Sequence, residues 1–95
     1  MPRRTPVASA SSERTARLPE SVPLHARPAG EFVRTAAGFD AEIVVSHADR
    51  AANAKSILEI LSLGAEGGSE LRIAASGEDA AAAVDRLAAL VAEFA

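Results

Sequence analysis

The chain has 95 residues, so it allows one domain with a modest core and little room for an enclosed substrate pocket. It contains no cysteine, which excludes disulfides, thiolate catalysis and cysteine metal sites and fits a reducing cytoplasm. The net charge of -3 argues against wholesale nucleic-acid binding, and no apolar run approaches the roughly 20 residues needed to span a bilayer.

Residues 1–12 differ in composition from the rest of the chain. They hold Arg3, Arg4, two prolines and three serines, with no acid before Glu13. We predict a disordered basic extension over 1–12 and a domain over 13–95. A transit-like or nucleic-acid-contacting arm is the alternative, whereas a secretory signal does not fit because no apolar stretch follows the arginines.

The first half of the domain begins with a weak strand pattern over residues 14–18, which we place at a sheet edge. A helix is predicted from about Ala26, with Pro28 in its first turn, where the missing N–H costs nothing. The helix has an apolar stripe at helical spacing, formed by Phe32, Val33 and Ala36. Gly38 is expected to end the helix in a left-handed conformation.

The middle of the chain predicts a hairpin and a second helix. The period-two sequence pattern over residues 41–45 is typical of a strand. Residues 47–50 are predicted to form a polar turn, and residues 50–54 a short return strand. A helix is predicted over 55–63, closed by Gly64. One face of that helix carries Ile57, Leu58 and Leu61.

The last third predicts a loop over 66–69, a strand around 70–73 and a long helix. Ser76 and Gly77 are candidate N-caps of that helix. Its apolar residues recur at helical spacing: Val84, Leu87, Val91 and Phe94. The order β-α-β-β-α-β-α predicts an α+β two-layer domain with an antiparallel sheet.

His25 is the most informative residue for function. It lies just before a predicted helix start, where free backbone N–H groups and the helix dipole favour an anion. A neutral imidazole there has a nucleophilic nitrogen, and Arg27 adds a permanent charge with a planar donor fork suited to phosphate. These features point to transient phosphorylation of His25, with a plain cap or surface histidine as the alternative.

Two sequence segments resemble one known family. His25-Ala26-Arg27-Pro28-Ala29 is similar to the active-site signature of the histidine-containing phosphocarrier protein, HPr, of the bacterial phosphoenolpyruvate-dependent sugar phosphotransferase system. The segment 53–58, followed by Leu61-Ser62-Leu63-Gly64, resembles that family's regulatory-serine region at the family's distance from the histidine. The resemblance covers about residue 13 to the end. It implies an open-faced β-sandwich, with four antiparallel strands covered on one face by three helices.

The same resemblance implies a carrier and not an enzyme, with no cofactor. His25 would accept a phosphoryl group on Nδ1 from phosphorylated enzyme I and pass it to a IIA domain of a sugar permease, assisted by Arg27. We expect a cytoplasmic monomer that binds no nucleic acid. The alternative is a regulatory paralogue, or one serving a nitrogen-related or dihydroxyacetone-kinase relay.

Partner proteins would contact a shallow surface around His25. We call it the docking face and expect it to comprise Ala26, Arg27, Gly30, Arg34, Ile57, Leu58 and Leu61. An exposed apolar patch with basic neighbours suits brief docking to several partners. The alternative for Ile57 and Leu58 is ordinary core, since helical geometry can bury one and expose the other.

Ser56 matches the position that a dedicated kinase phosphorylates in some family members. We place Ser56 in the first turn of the second helix, where the dipole tolerates a phosphoserine and added charge would weaken docking of enzyme I. The alternative is a plain polar residue in that turn.

Several residues depart from the family pattern or carry weaker signals. Pro23 stands where the family commonly has glycine, which predicts a stiffer loop before His25, and Glu59 puts an acid near the docking face. His47 is predicted to be a surface histidine, because a metal site needs more ligands than its region offers. Residues 64–69 lack the lysine and spacing of a phosphate loop and are predicted to form a turn.

Overall fold

The computed structural model describes residues 11–94. The order β-α-β-β-α-β-α is confirmed, and the elements are β1 (Ser11–Arg17), α1 (Ala26–Ala37), β2 (Glu42–His47), β3 (Arg50–Asn53), α2 (Ile57–Ser62), β4 (Glu70–Ser76) and α3 (Ala80–Glu93). Strand β1 already starts at Ser11, so the predicted domain boundary at residue 12 falls inside it. Residues 1–10 lie outside the described part, and their predicted disorder stays a prediction.

The four strands form one antiparallel sheet in the order β1-β4-β2-β3. Side chains alternate along β2 and β4, so Ile43, Val45, Leu71, Ile73 and Ala75 point into the core. The opposite face of the sheet is uncovered and carries the exposed Val44. With three helices on one face of the sheet, the predicted open-faced sandwich is confirmed.

The core is mainly aliphatic but includes Phe32 and Phe94. Its largest fully buried side chains are Phe32, Leu18, Ile60, Leu71, Ile73, Leu87, Val45, Val84 and Val91. Among residues 11–94, no polar or charged residue is buried. In this same range, none of the helices is both long and apolar enough to cross a bilayer.

Helix α1 ends before Gly38 as predicted, but the left-handed conformation predicted for Gly38 and the N-caps predicted for α3 are wrong. Gly38 has φ −77°, in the right-handed region, because the chain leaves α1 through a tight turn in which the Gly38 N–H donates to the Thr35 carbonyl at 3.1 Å. Neither Ser76 nor Gly77 caps α3, because the N-cap residue is Asp79. Gly64, in contrast, has the predicted left-handed conformation after α2, with φ +66°.

Asp79 joins the start of α3 to the loop between α1 and β2. Its carboxylate oxygens accept hydrogen bonds from the backbone N–H groups of Asp40 and Ala41, each at 2.8 Å, so they do not cap their own helix. These bonds, first of all the one from Asp40, lower the pKa of the Asp79 carboxyl below its ordinary value of 3.8. Because the folded-state pKa is the lower one, the stabilisation is present above the unfolded-state pKa and is lost as the pH falls through the folded-state pKa.

We expect Asp79→Asn to lower the melting temperature by a few degrees at pH 7, because two charge-assisted hydrogen bonds become neutral or are lost. The melting temperature of the variant should also fall less steeply than that of the native chain as the pH drops below about 4. Thermal unfolding followed by circular dichroism from pH 2 to 7 measures both effects. Asp85→Asn is the matched control: Asp85 sits in an exposed ion pair with Arg14, so little change is expected. Equal effects of the two substitutions would contradict this role of Asp79.

Candidate functional site

His25 is the N-cap residue of α1, and its side chain is exposed. Its backbone is extended, with φ −90° and ψ −170°, and its carbonyl accepts the first helical hydrogen bond, from the Ala29 N–H at 2.9 Å. The backbone N–H of His25 donates to the Pro23 carbonyl at 2.9 Å. The exposed imidazole makes no capping hydrogen bond, so its ring nitrogens remain accessible to a reactant.

Two backbone N–H donors follow this histidine at the N-terminal, positive end of α1. Ala26 and Arg27 are the first two helical residues, and their N–H groups have no acceptor within the helix. Pro28, in the first turn as predicted, has no N–H at all. The first turn also carries no acidic residue that would compete for these donors. The arrangement therefore favours an anionic group beside the imidazole.

The segment that leads into His25 is tied to the loop before β4. The N–H of Leu18 donates to the Ser69 carbonyl at 2.9 Å, and the N–H of Leu24 donates to the Ala65 carbonyl at 3.0 Å. Leu18 and Leu24 are both buried, so their side chains anchor the two ends of the segment. His25 is therefore exposed, while the backbone of the segment before it is fixed by hydrogen bonds and by the two buried leucines.

A shallow depression of about 310 Å³ adjoins His25. Its walls come from the loop before α1, from α1 and from the end of α3: Ser21, Val22, Pro23, His25, Arg27, Pro28, Glu31 and Phe94. A larger depression of about 460 Å³ lies on the uncovered sheet face near Val44 and is remote from this chemistry. The His25 depression admits a small anionic group but does not enclose a substrate.

Two arginines give the α1 side of the docking face its positive charge. Arg27 and Arg34 are both exposed, and neither takes part in the ion pairs found within residues 11–94. Gly30 is half-buried, with the Arg34 guanidinium close to the position that a Cβ atom would occupy. Ala26 is exposed beside His25. The structure therefore places all four α1 residues of the predicted docking face on the helix that the histidine caps.

The α2 side of the docking face is apolar and exposed. Leu58 is 77% exposed, and Ile57 and Leu61 are each 37% exposed. The alternative that Ile57 or Leu58 belongs to the core is therefore wrong, because Ile60 takes the buried position of this short helix. Helix α2 packs against α1, the helix that carries Arg27 and Arg34.

Ser56 lies one residue before α2 and is its N-cap, so its predicted place in the first turn is wrong. Its hydroxyl oxygen accepts a hydrogen bond from the Glu59 N–H at 3.3 Å. The Glu59 carboxylate accepts a second bond, from the Asn53 N–H at 2.8 Å. The Ser-x-x-Glu spacing, typical of helix N-termini, is the sequence signal that could have indicated this cap.

His47 does not join the site. It is half-buried near the turn between β2 and β3, with its ring Nδ1 3.4 Å from the Glu70 carbonyl. Within residues 11–94, no group of three histidine, aspartate or glutamate side chains is arranged to hold a metal ion.

Comparison with known proteins agrees with this geometry. The family model described as "PTS HPr component phosphorylation site" matches residues 12–93. The chain belongs to the HPr family. It is 49% identical over 71 residues to the phosphocarrier protein HPr of Streptomyces coelicolor, covering 74% of this chain and 76% of that protein. The corresponding protein of Haemophilus influenzae is 43% identical over 68 residues, covering 72% of this chain and 80% of that protein.

Solved HPr structures share the fold. The crystal structure of the phosphocarrier protein HPr from Bacillus anthracis superposes with a TM-score of 0.81 at 38% identity, covering 86% of this chain and 98% of that one. The resemblance in the sequence motifs is therefore confirmed at the level of the family and of the whole fold.

We expect Gly67→Ala to destabilise the domain by about 2–4 kcal/mol, because the new Cβ would overlap the Glu20 carbonyl group. The overlap would force the loop before β4 away from the segment that leads into His25. Gly64→Ala is the matched control. It has a left-handed conformation but nothing within 4 Å, so only the conformational cost of about 1 kcal/mol applies. Urea unfolding measures both values. A cost for Gly67→Ala no larger than for Gly64→Ala would contradict the close packing of these loops.

Proposed function

We propose that this protein is a phosphocarrier that accepts a phosphoryl group on His25 from phosphorylated enzyme I and passes it to IIA domains of sugar permeases. The observation that carries the proposal is the exposed His25 at the N-terminus of α1, next to two unpaired backbone N–H groups and Arg27. Membership of the HPr family supports it. The shallow site supports a role as protein co-substrate and not as an autonomous enzyme.

In the proposed transfer, the lone pair of a neutral His25 nitrogen, Nδ1 in the family, attacks the phosphorus atom. The bond between phosphorus and its donor residue on enzyme I breaks as the new N–P bond forms. The N–H groups of Ala26 and Arg27, with the Arg27 guanidinium, stabilise the negative charge on the oxygens in transit. Transfer to the acceptor reverses these steps on a different partner.

The docking face supplies the contact for both partners. Its apolar side on α2 and its basic side on α1 lie next to each other, and neither side is enclosed. An exposed apolar patch rimmed with positive charge suits partners that bind briefly and carry a complementary acidic rim. We propose that the protein is cytoplasmic. We also propose that it is a monomer, because a second copy bound on the docking face would block the exchange of partners.

Ser56 is proposed as a regulatory position for a serine kinase. Its half-buried hydroxyl already serves as a cap acceptor, so phosphorylation would change the hydrogen bonding at the start of α2. Negative charge added next to Ile57 and Leu58 would oppose docking of a partner that carries an acidic rim.

Intact-mass spectrometry after incubation with enzyme I and phosphoenolpyruvate tests the carrier role. We expect one acid-labile phosphoryl adduct on the native chain and none on His25→Ala. An adduct on both chains would place the phosphoryl group elsewhere. If an enzyme I from the same organism gives no adduct, the sugar-carrier role is contradicted and a role as a regulatory paralogue is favoured.

Leu58→Gln tests the docking face. We expect the KM for phosphoryl acceptance from enzyme I to rise roughly tenfold with little change in kcat or in melting temperature, because Leu58 is exposed and contributes only to docking. Val44→Gln is the matched control, since Val44 is an exposed apolar residue on the uncovered sheet face. Steady-state transfer assays measure both constants. Equal changes in the two variants would show that α2 is not the contact surface.

A further inference from the structure

Glu59 ties the strand before α2 to the helix itself. The N–H of Asn53 in the edge strand β3 donates to the Glu59 carboxylate at 2.8 Å, a bond that we call the Glu59 strap. Glu59 also donates its own N–H to the Ser56 hydroxyl, and the Ser56 N–H donates to the Asn53 carbonyl at 3.0 Å. Asn53, Ser56 and Glu59 therefore form one closed set of hydrogen bonds. Ile57 and Leu58 follow directly after Ser56.

No cation neutralises the Glu59 carboxylate within residues 11–94, where the ion pairs involve other residues. The two nearest basic residues in the sequence are engaged elsewhere. The Lys55 ammonium donates to the Phe39 carbonyl at 2.6 Å, and the Arg50 guanidinium donates to the Ser62 carbonyl at 2.8 Å. Within residues 11–94, the Glu59 strap is therefore a single hydrogen bond from a backbone N–H, with no salt bridge to support it.

We propose that Glu59 is a positioning residue for the docking face, and that a negative charge at position 56 releases its hold on Asn53. The inference rests on the proposed function, in which Ile57 and Leu58 contact the phosphoryl donor. The Ser56 oxygen bonds to the Glu59 N–H, and the Ser56 N–H and the Glu59 carboxylate both bond to the Asn53 backbone, so a charge at position 56 enters the same closed set of bonds as the carboxylate and repels it. The carboxylate moves away from Asn53, and the first turn of α2 loses the Glu59 strap to β3.

The sign of this effect depends on the residue at position 59. Aspartate caps helices about as well as serine, and a negative charge is normally favoured at a helix N-terminus. Ser56→Asp should therefore be neutral or stabilising where the residue at position 59 is uncharged, and destabilising only where Glu59 is present. A glutamine side chain there keeps an oxygen that can accept the Asn53 N–H, so Glu59→Gln removes the charge and retains the strap.

The test is a double-mutant cycle of Ser56→Asp and Glu59→Gln, read by melting temperature at low and at moderate salt. We expect Ser56→Asp to lower the melting temperature in the native background, more so at low salt, and Glu59→Gln to remove at least half of that loss. Glu42→Gln is the matched control. It removes one exposed acid on the uncovered sheet face and should leave the Ser56→Asp loss unchanged.

A second readout separates positioning from general stability. At a temperature where all variants are folded, Ser56→Asp should raise the KM for phosphoryl acceptance from enzyme I, and Glu59→Gln should restore at least part of it with kcat unchanged. Equal Ser56→Asp losses of melting temperature in the native and Glu59→Gln backgrounds would overturn the proposal. So would no loss in the native background. The melting data need no enzyme I, so they stand even if His25 fails to accept a phosphoryl group and the proposed function falls.

Discussion

The site depends on the hydrogen bonds that join the segment before His25 to the loop before β4. The Leu18 and Leu24 N–H groups donate to carbonyls of that loop, and both leucine side chains are buried. Under the proposed function His25 has to be exposed to its partners, and an exposed side chain has few contacts that fix its position. Here the backbone on the N-terminal side of His25 is fixed by the loop and on the C-terminal side by α1. The imidazole itself is exposed to solvent.

A small domain is sufficient to hold a histidine in an exposed position. The sheet buries one face under three helices and leaves the other open, so the core is a single layer filled mainly by aliphatic side chains. Under the proposed function the carrier needs no cavity, because its partners would supply the rest of the reaction site. What the domain must supply is a helix terminus with free donors, and an exposed face beside it. Both come from the way that α1 and α2 pack against each other on the sheet.

The N-caps of the two helices at the docking face work differently. At α1 the N-cap histidine leaves the terminal donors free, which suits an incoming anion. At α2 the Ser56 hydroxyl accepts the Glu59 N–H, and the Glu59 carboxylate accepts the N–H of Asn53 in the strand before the helix. The two helix starts therefore differ in capping, because α2 has a side-chain cap bond and α1 has none.

By itself, the sequence determined the order of elements, the aliphatic core, His25 at a helix start and the family, because periodicity and short motifs are local properties of the chain. Only the tertiary structure decided that Ile60, and not Ile57 or Leu58, enters the core, since which side of a six-residue helix is buried depends on what packs against it. It also decided the role of Asp79, whose carboxylate bonds to a loop 38–39 residues away in the chain instead of capping α3. The closed set of bonds around Glu59 had a local signal in its Ser-x-x-Glu spacing, but the strand that completes it is placed by sheet pairing. Contacts between segments far apart in sequence leave no periodic pattern, and for that reason the chain alone did not reveal them.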